Sequence, residues 1–229
     1  MTITPVTLIR ATAVAAAAAG VIFIGVQINH PHSDVAAVTT TEWAVRNSFK
    51  VLMAALALTG ITGMYLRQVK QIGLLGLIGY LTFGVGYLTI LSVTFVSGYV
   101  LPTIAETDPS YVNDVLAAAT GGSAIGDIGL LNSALDVSGI TFLGGGLLFG
   151  IALYRVRVLA RWASALLAVG SALTVTLAVL PDGFYRFLAF PHSIAMIGLG
   201  YSLWVTTRTD TPTRPAVLQT QPFAAAGAE

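Results

Sequence analysis

Residues 72–101 read IGLLGLIGYLTFGVGYLTILSVTFVSGYVL, a run without one charged side chain. About 20 apolar residues in a helix cross the roughly 30 Å hydrocarbon core of a bilayer. The run is therefore predicted to span a membrane, with length to spare for tilting or for continuing outside before Pro102. Working outward, runs of the same character cover about 11–28 and 43–66 on one side and 137–154, 162–180 and 184–206 on the other. Alternation at period 2 is absent, which argues against a transmembrane barrel. The chain of 229 residues is 55% hydrophobic, with 11 Lys+Arg and 10 Asp+Glu. A soluble domain has no means of burying six such runs. The expected fold class is all-α: a polytopic transmembrane bundle of six spans over residues 1–208, with a short helical outer-face segment between spans three and four.

The charges orient that bundle. With six spans, Arg10, Arg67, Lys70, Arg155, Arg157, Arg161, Arg208 and Arg214 fall on one face. Basic residues in short loops mark the cytoplasmic side. The other face receives Asp34, Glu42, Glu106, Asp108, Asp114, Asp127, Asp136 and Asp182, with Arg46, Lys50 and Arg186 as its bases. The expectation is a multi-pass protein of the cell membrane with both termini in the cytoplasm. The first run resembles a secretory signal in its Arg10 and its alanines, but Val21-Ile22-Phe23-Ile24 carries it beyond the usual 7–15-residue apolar region. It reads as an uncleaved helix. There is no cysteine, which removes disulfides, thiolates and Cys-bound metals. Residues 209–229, rich in Thr, Pro, Ala and Gln, read as a disordered cytoplasmic tail.

Glycines recur inside the runs, at Gly60 and Gly63, at Gly73, Gly76 and Gly79, and at Gly144, Gly145, Gly146 and Gly150. Small residues let helices approach closely in lipid. Packing within the bundle accounts for them, and a homo-oligomer through these faces is the alternative. The segment 103–135 is too long for an ordinary connection. Asp108-Pro109 fits an N-cap with proline at the first helical position, predicting a short helix over 111–119 that breaks at Gly121-Gly122. Ile125, Ile128, Leu131 and Leu135 continue at helical spacing.

Ionisable groups inside spans are functional candidates by default. Glu42, Arg46 and Lys50 share one helix face at spacing i, i+4, i+8. Thr39 and Glu42 fit a capping box, so an N-cap with an intrahelical ion pair competes with a charged cavity wall. Asp136 opens span four as a cap, or as an acid whose pKa a dry cavity raises. Asp127 lies nearby. Asp182 and Arg186 form a surface pair. His192 follows Pro191, whose missing N–H kinks the helix and leaves a polar pocket. A structurally satisfied imidazole competes there with a base or orienting group. His30 and His32 lack the carboxylate or cysteine partners of a metal site, and no metal or cofactor is expected.

No P-loop, dinucleotide fingerprint, nucleophile elbow, zinc-protease or diphosphate motif occurs, and a net charge of +1 gives no support for nucleic-acid binding. Arg161-Trp162-Ala163, Gly200-Tyr201-Ser202-Leu203-Trp204 and Tyr99-Val100-Leu101-Pro102 resemble segments of small integral membrane proteins of high-GC bacteria that have no assigned activity. That resemblance implies a six-helix bundle and carries over no functional residue. Three classes of function stand. The leading one is an intramembrane enzyme or binding protein for a lipophilic, isoprenoid-like molecule, for example with terpenoid-cyclase-like acid catalysis. It would have Asp136 or Glu42 as acid, His192 as base, and Arg46, Lys50, Asp127, Phe187 and Phe190 around the ligand. The alternatives are a small transporter or channel subunit, and a non-catalytic membrane partner or resistance protein.

Overall fold

The computed structural model describes residues 4–173 and 189–209. Among them there is helix and no strand. In chain order the helices are α1 (Pro5–Gln27), α2 (Val35–Val38), α3 (Thr41–Arg67), α4 (Gly73–Tyr99), α5 (Leu101–Ala105), α6 (Pro109–Ala119), α7 (Leu130–Val156), α8 (Arg161–Leu173) and α9 (Ala189–Thr209). Four of them, α1, α3, α4 and α7, are long and apolar enough to cross a membrane, which places the chain among membrane proteins. The end of the expected fifth span, the start of the sixth, and Asp182, Arg186 and Phe187 lie outside the described residues.

Local chemistry sets most helix starts. Thr4 accepts from the Thr7 N–H at 3.2 Å, with Pro5 at the first position of α1. Asp108 accepts from the Tyr111 N–H at 3.0 Å and Pro109 opens α6, as the sequence predicted. Two starts differ from expectation. Thr40, not Thr39, caps α3 through the Trp43 N–H at 3.2 Å. Glu42 therefore falls one position short of the reciprocal capping contact and turns to Arg46 instead. Helix α7 begins at Leu130, because Gly129 takes φ +61° and turns the chain there, a conformation glycine adopts without steric penalty. Asp136 is thus two turns inside α7 and does not cap it. The apolar spacing from Ile125 is broken as well: Ile125 is exposed in the loop, while Ile128 is buried.

Six helices close into a ring in the order α1, α3, α4, α7, α8, α9 and back to α1, each packed on two neighbours. Neighbours run antiparallel throughout. On α4 and α7, Gly79 lies at Phe149, Gly145 at Phe83 and Gly86 at Phe142, so one number rises as the other falls. The same inverse register holds for Gly60 at Ala16 and Gly63 at Thr12, for Gly146 at Ser171 and Gly150 at Ala168, and for Gly170 at His192 and Gly198 at Ala163. These glycines are occupied within the ring, whereas Gly139 and Gly144 face open space. Phe83, Tyr87, Phe149, Met196 and Leu199 fill the interior.

The alternation sorts the charges onto two ends. One end, the basic end, carries Arg10, Arg67, Lys70, Arg155, Arg157, Arg161 and Arg208, with no carboxylate among the described residues. At the opposite end α2, α5, α6 and the loop before α7 pack on one another around Val38, Leu101, Val112, Val115 and Ile128, with Trp43 of α3 beneath. This second small core makes the 101–129 segment a folded cap. Its cohesion is apolar burial, the dominant favourable term in packing, together with Asp114, whose two carboxylate oxygens accept from the N–H groups of Ile125 and Gly126 at 2.8 and 3.0 Å.

Candidate functional site: a histidine–tyrosine pair inside the ring

Helix α9 presents His192, Ala195, Met196, Leu199 and Leu203 as one buried stripe, the i, i+3, i+4, i+7 spacing of a helix face turned to a core. His192 therefore enters the interior by register, one residue after Pro191. Gly170 of α8 lies against this step, with room for backbone and little else. Across the ring, Phe83 and Tyr87 project from α4 one turn apart, and both are fully buried. The Tyr87 hydroxyl and His192 Nε2 meet at 2.8 Å, a hydrogen bond joining two helices that are not ring neighbours.

Aromatic rings enclose the pair. Phe142 of α7 lies 4.8 Å from the imidazole centroid, Phe83 of α4 5.7 Å and Phe23 of α1 5.9 Å, the last two edge-on. His192 Nδ1 is buried with no hydrogen-bond partner among the described residues. A neutral imidazole has one N–H. If Tyr87 donates to Nε2, only that N–H, on Nδ1, is left without an acceptor. The reverse assignment leaves two groups unpaired, Nδ1 and the phenol O–H. The first arrangement is therefore favoured, and it presents a single donor inside an aromatic box. An orphaned buried donor costs about 1–3 kcal/mol, and such exceptions mark functional or water-filled positions.

The other candidate residues form two separate groups at the cap end. Arg46 Nε donates to Glu42 Oε1 at 2.8 Å, while Nη1 reaches the carbonyls of Val26 and Ile28 at 3.2 and 2.9 Å and Nη2 that of Asn29 at 2.9 Å. One guanidinium thus binds the last carbonyls of α1, where a cation is favoured by the helix dipole. Lys50 Nζ donates to His30 Nε2 at 2.9 Å, and His30 Nδ1 donates to the Pro31 carbonyl at 2.8 Å. Trp43 packs against both the His30 ring and the Lys50 ammonium and donates Nε1–H to the Ser97 carbonyl at 2.9 Å. Arg46 and Lys50 thus fasten the end of α1 and the loop after it to α3, with Glu42 paired to Arg46.

Asp127 and Asp136 line a polar hollow of about 560 Å³ with Ser123, Asn132 and Ser133. Asp127 Oδ1 accepts from the Gly129 N–H at 2.7 Å, and Asp136 is exposed beside Asn132. Asp136 precedes Phe142 by six residues on α7, about 9 Å along the axis at 1.5 Å per residue. Hence Asp136 and Glu42 do not converge on His192. Phe190 is half-buried on α9. Among the described residues no group of three His, Asp or Glu side chains is placed to hold a metal. Outside the spans, Asp108 has its pKa held below the ordinary carboxylate range, first by the Ser110 hydroxyl and then by the Tyr111 N–H.

Tyr87 was not among the residues singled out from the sequence. Its signal was faint: it stands mid-run in α4, where tyrosine lacks the interfacial water that usually satisfies its hydroxyl. Set against protein-family models, curated proteins and solved structures, the chain matches none. The functional reading therefore rests on geometry.

Proposed function

We propose that this is a six-span membrane protein, with its basic end in the cytoplasm, that binds a lipophilic, isoprenoid-like molecule inside the helix ring. The observation that carries the reading is the orphaned Nδ1 of His192, fixed by Tyr87 within Phe23, Phe83 and Phe142. A single donor in an apolar aromatic enclosure suits a ligand that is hydrocarbon for most of its length and bears one oxygen acceptor, such as a carbonyl or ether. Small-molecule sites generally combine apolar walls with a few placed polar groups.

The closed antiparallel ring supports six crossings, because α8 and α9 complete it between α7 and α1. The filled interior argues against a conducting pore, and a ligand enters only as helices part around the His192 pair. Acid catalysis of the cyclase kind requires a carboxylic acid against the box. Among the described residues the carboxylates stand at the cap end, so binding is better supported than protonation chemistry. The ligand reaches the pair by parting α8 from α9, at the seam where Gly170 meets Pro191 and His192.

The test is native mass spectrometry of the detergent-purified chain with organic extraction of what travels with it. The wild type should carry one discrete lipophilic molecule, and Tyr87→Phe and His192→Ala should each lower its occupancy about tenfold, the value of a buried hydrogen bond with its desolvation. Equal occupancy in folded variants, or bulk lipid alone in the wild type, contradicts the reading.

A further inference from the structure

The most exposed large apolar side chains among the described residues are not on the flanks of the ring. They are Ile125, 99% exposed in the loop of the cap, and Leu130, 88% exposed at the start of α7. Leu130 stands about 38 Å along α7 from Arg155, farther than the roughly 30 Å hydrocarbon core. Asp136 marks the same limit: it is exposed, about 9 Å nearer the basic end, and a charged carboxylate stays out of hydrocarbon. Lipid tails therefore do not cover Ile125 or Leu130. The loop that carries Ile125 is also held in place. Asp114 binds the N–H groups of Ile125 and Gly126, and Asp127 binds that of Gly129.

Ala124 and Gly126, which flank Ile125, and Gly129, which precedes Leu130, line the polar hollow of about 560 Å³, with Asp127 and Asp136 in its wall. No cation among the described residues pairs with either carboxylate. We propose that this edge of the cap docks a second polypeptide, through a segment in which a lysine or arginine stands between apolar residues. The cation enters the hollow against Asp127 and Asp136, and its apolar neighbours take Ile125 and Leu130 out of water, where apolar surface is unfavourable. Charge complementarity selects this occupant. A second copy of the chain, meeting the first about a two-fold axis, would set hollow against hollow and bring like carboxylates together. Because the loop is already fixed, docking requires little further ordering of the chain. The site requires α7 to cross the membrane with its first turns outside, and it is separate from the His192 pair.

The experiment places the photo-crosslinking amino acid p-benzoylphenylalanine at Ile125 of the full chain and irradiates the protein in its native membrane. One discrete adduct to another polypeptide should form, and sequencing of the crosslinked segment should find a lysine or arginine beside apolar residues. Asp136→Asn should lower the yield about fivefold, the upper value for an exposed ion pair, and Asp136→Glu should restore it. Glu106→Gln, an exposed carboxylate of the cap outside the hollow, should change the yield less than about twofold. The same crosslinker in place of Leu130 repeats the test if the first variant fails to fold. No adduct, an adduct of twice the chain's mass, an adduct to lipid alone, a crosslinked segment without a basic residue, or a yield that Asp136→Asn leaves unchanged would each overturn the docking site.

Discussion

Arg46 shows how one side chain decides an arrangement. Its guanidinium ties the end of α1 to the start of α3 through three carbonyls, while its partner Glu42 is more than half exposed, at 57% for the side chain. Exposed ion pairs are worth little, whereas charged hydrogen bonds to otherwise unpaired carbonyls are worth more. Arg46→Met should therefore destabilise the folded chain by about 2 kcal/mol, and Glu42→Gln by less than about 0.5 kcal/mol, as read by reversible denaturation in mixed micelles. Equal effects would contradict the carbonyl account. Asp108 sets a pH dependence. Its depressed pKa means that the capping of α6 is complete above the ordinary carboxylate range and is lost as pH falls through the lowered value. Amide exchange in α6 should accelerate on acidification in that window, and Asp108→Ala should remove the dependence.

At the scale of elements, the ring interfaces are set by glycines that admit backbone. A Cβ added at Gly86 would stand 2.7 Å from Phe142 N and Cα, and one at Gly79 2.8 Å from Phe149 Cα. Gly86→Ala should cost about 1–3 kcal/mol through overpacking. Gly144→Ala, with nothing within 4 Å, should leave stability unchanged or raise it slightly through helix propensity. Thermal unfolding of the two variants tests the register directly. The presence of these helices was legible, because each long apolar run announces itself by length alone. Their partners were not. Nothing in residues 72–101 states that Gly79 meets Phe149 rather than another helix, since register depends on both faces at once. The start of α7 was hidden for a related reason: Gly129 ends the loop through a positive-φ conformation that reads from sequence as one more glycine.

For the molecule as a whole, the described residues keep the sorting of charges: one end of the ring carries bases without a carboxylate, and the described carboxylates stand at the other. The cap was legible in part, through Asp108-Pro109, while its own apolar core around Val38 and Val112 joins segments too far apart in sequence to be paired by inspection. The candidate site divided similarly. His192 was visible as an ionisable group in an apolar run, but Tyr87 became visible only when the ring placed it across from α9. Asp136 stands beside Asn132 and Glu42 on Arg46, both at the cap end.

The central claim is that the ring crosses the membrane six times, carrying the His192–Tyr87 pair inside it. The native chain has no cysteine, so single cysteines report cleanly. Lys70→Cys at the basic end, Ser110→Cys in the cap, and a third at Asp182, between α8 and α9, should be labelled in intact cells or oriented vesicles with a membrane-impermeant reagent. Six crossings predict that the Ser110 and Asp182 positions react from one side and Lys70 from the other. Labelling at Asp182 from the side of Lys70 would leave α8 and α9 short of the opposite face and contradict the account.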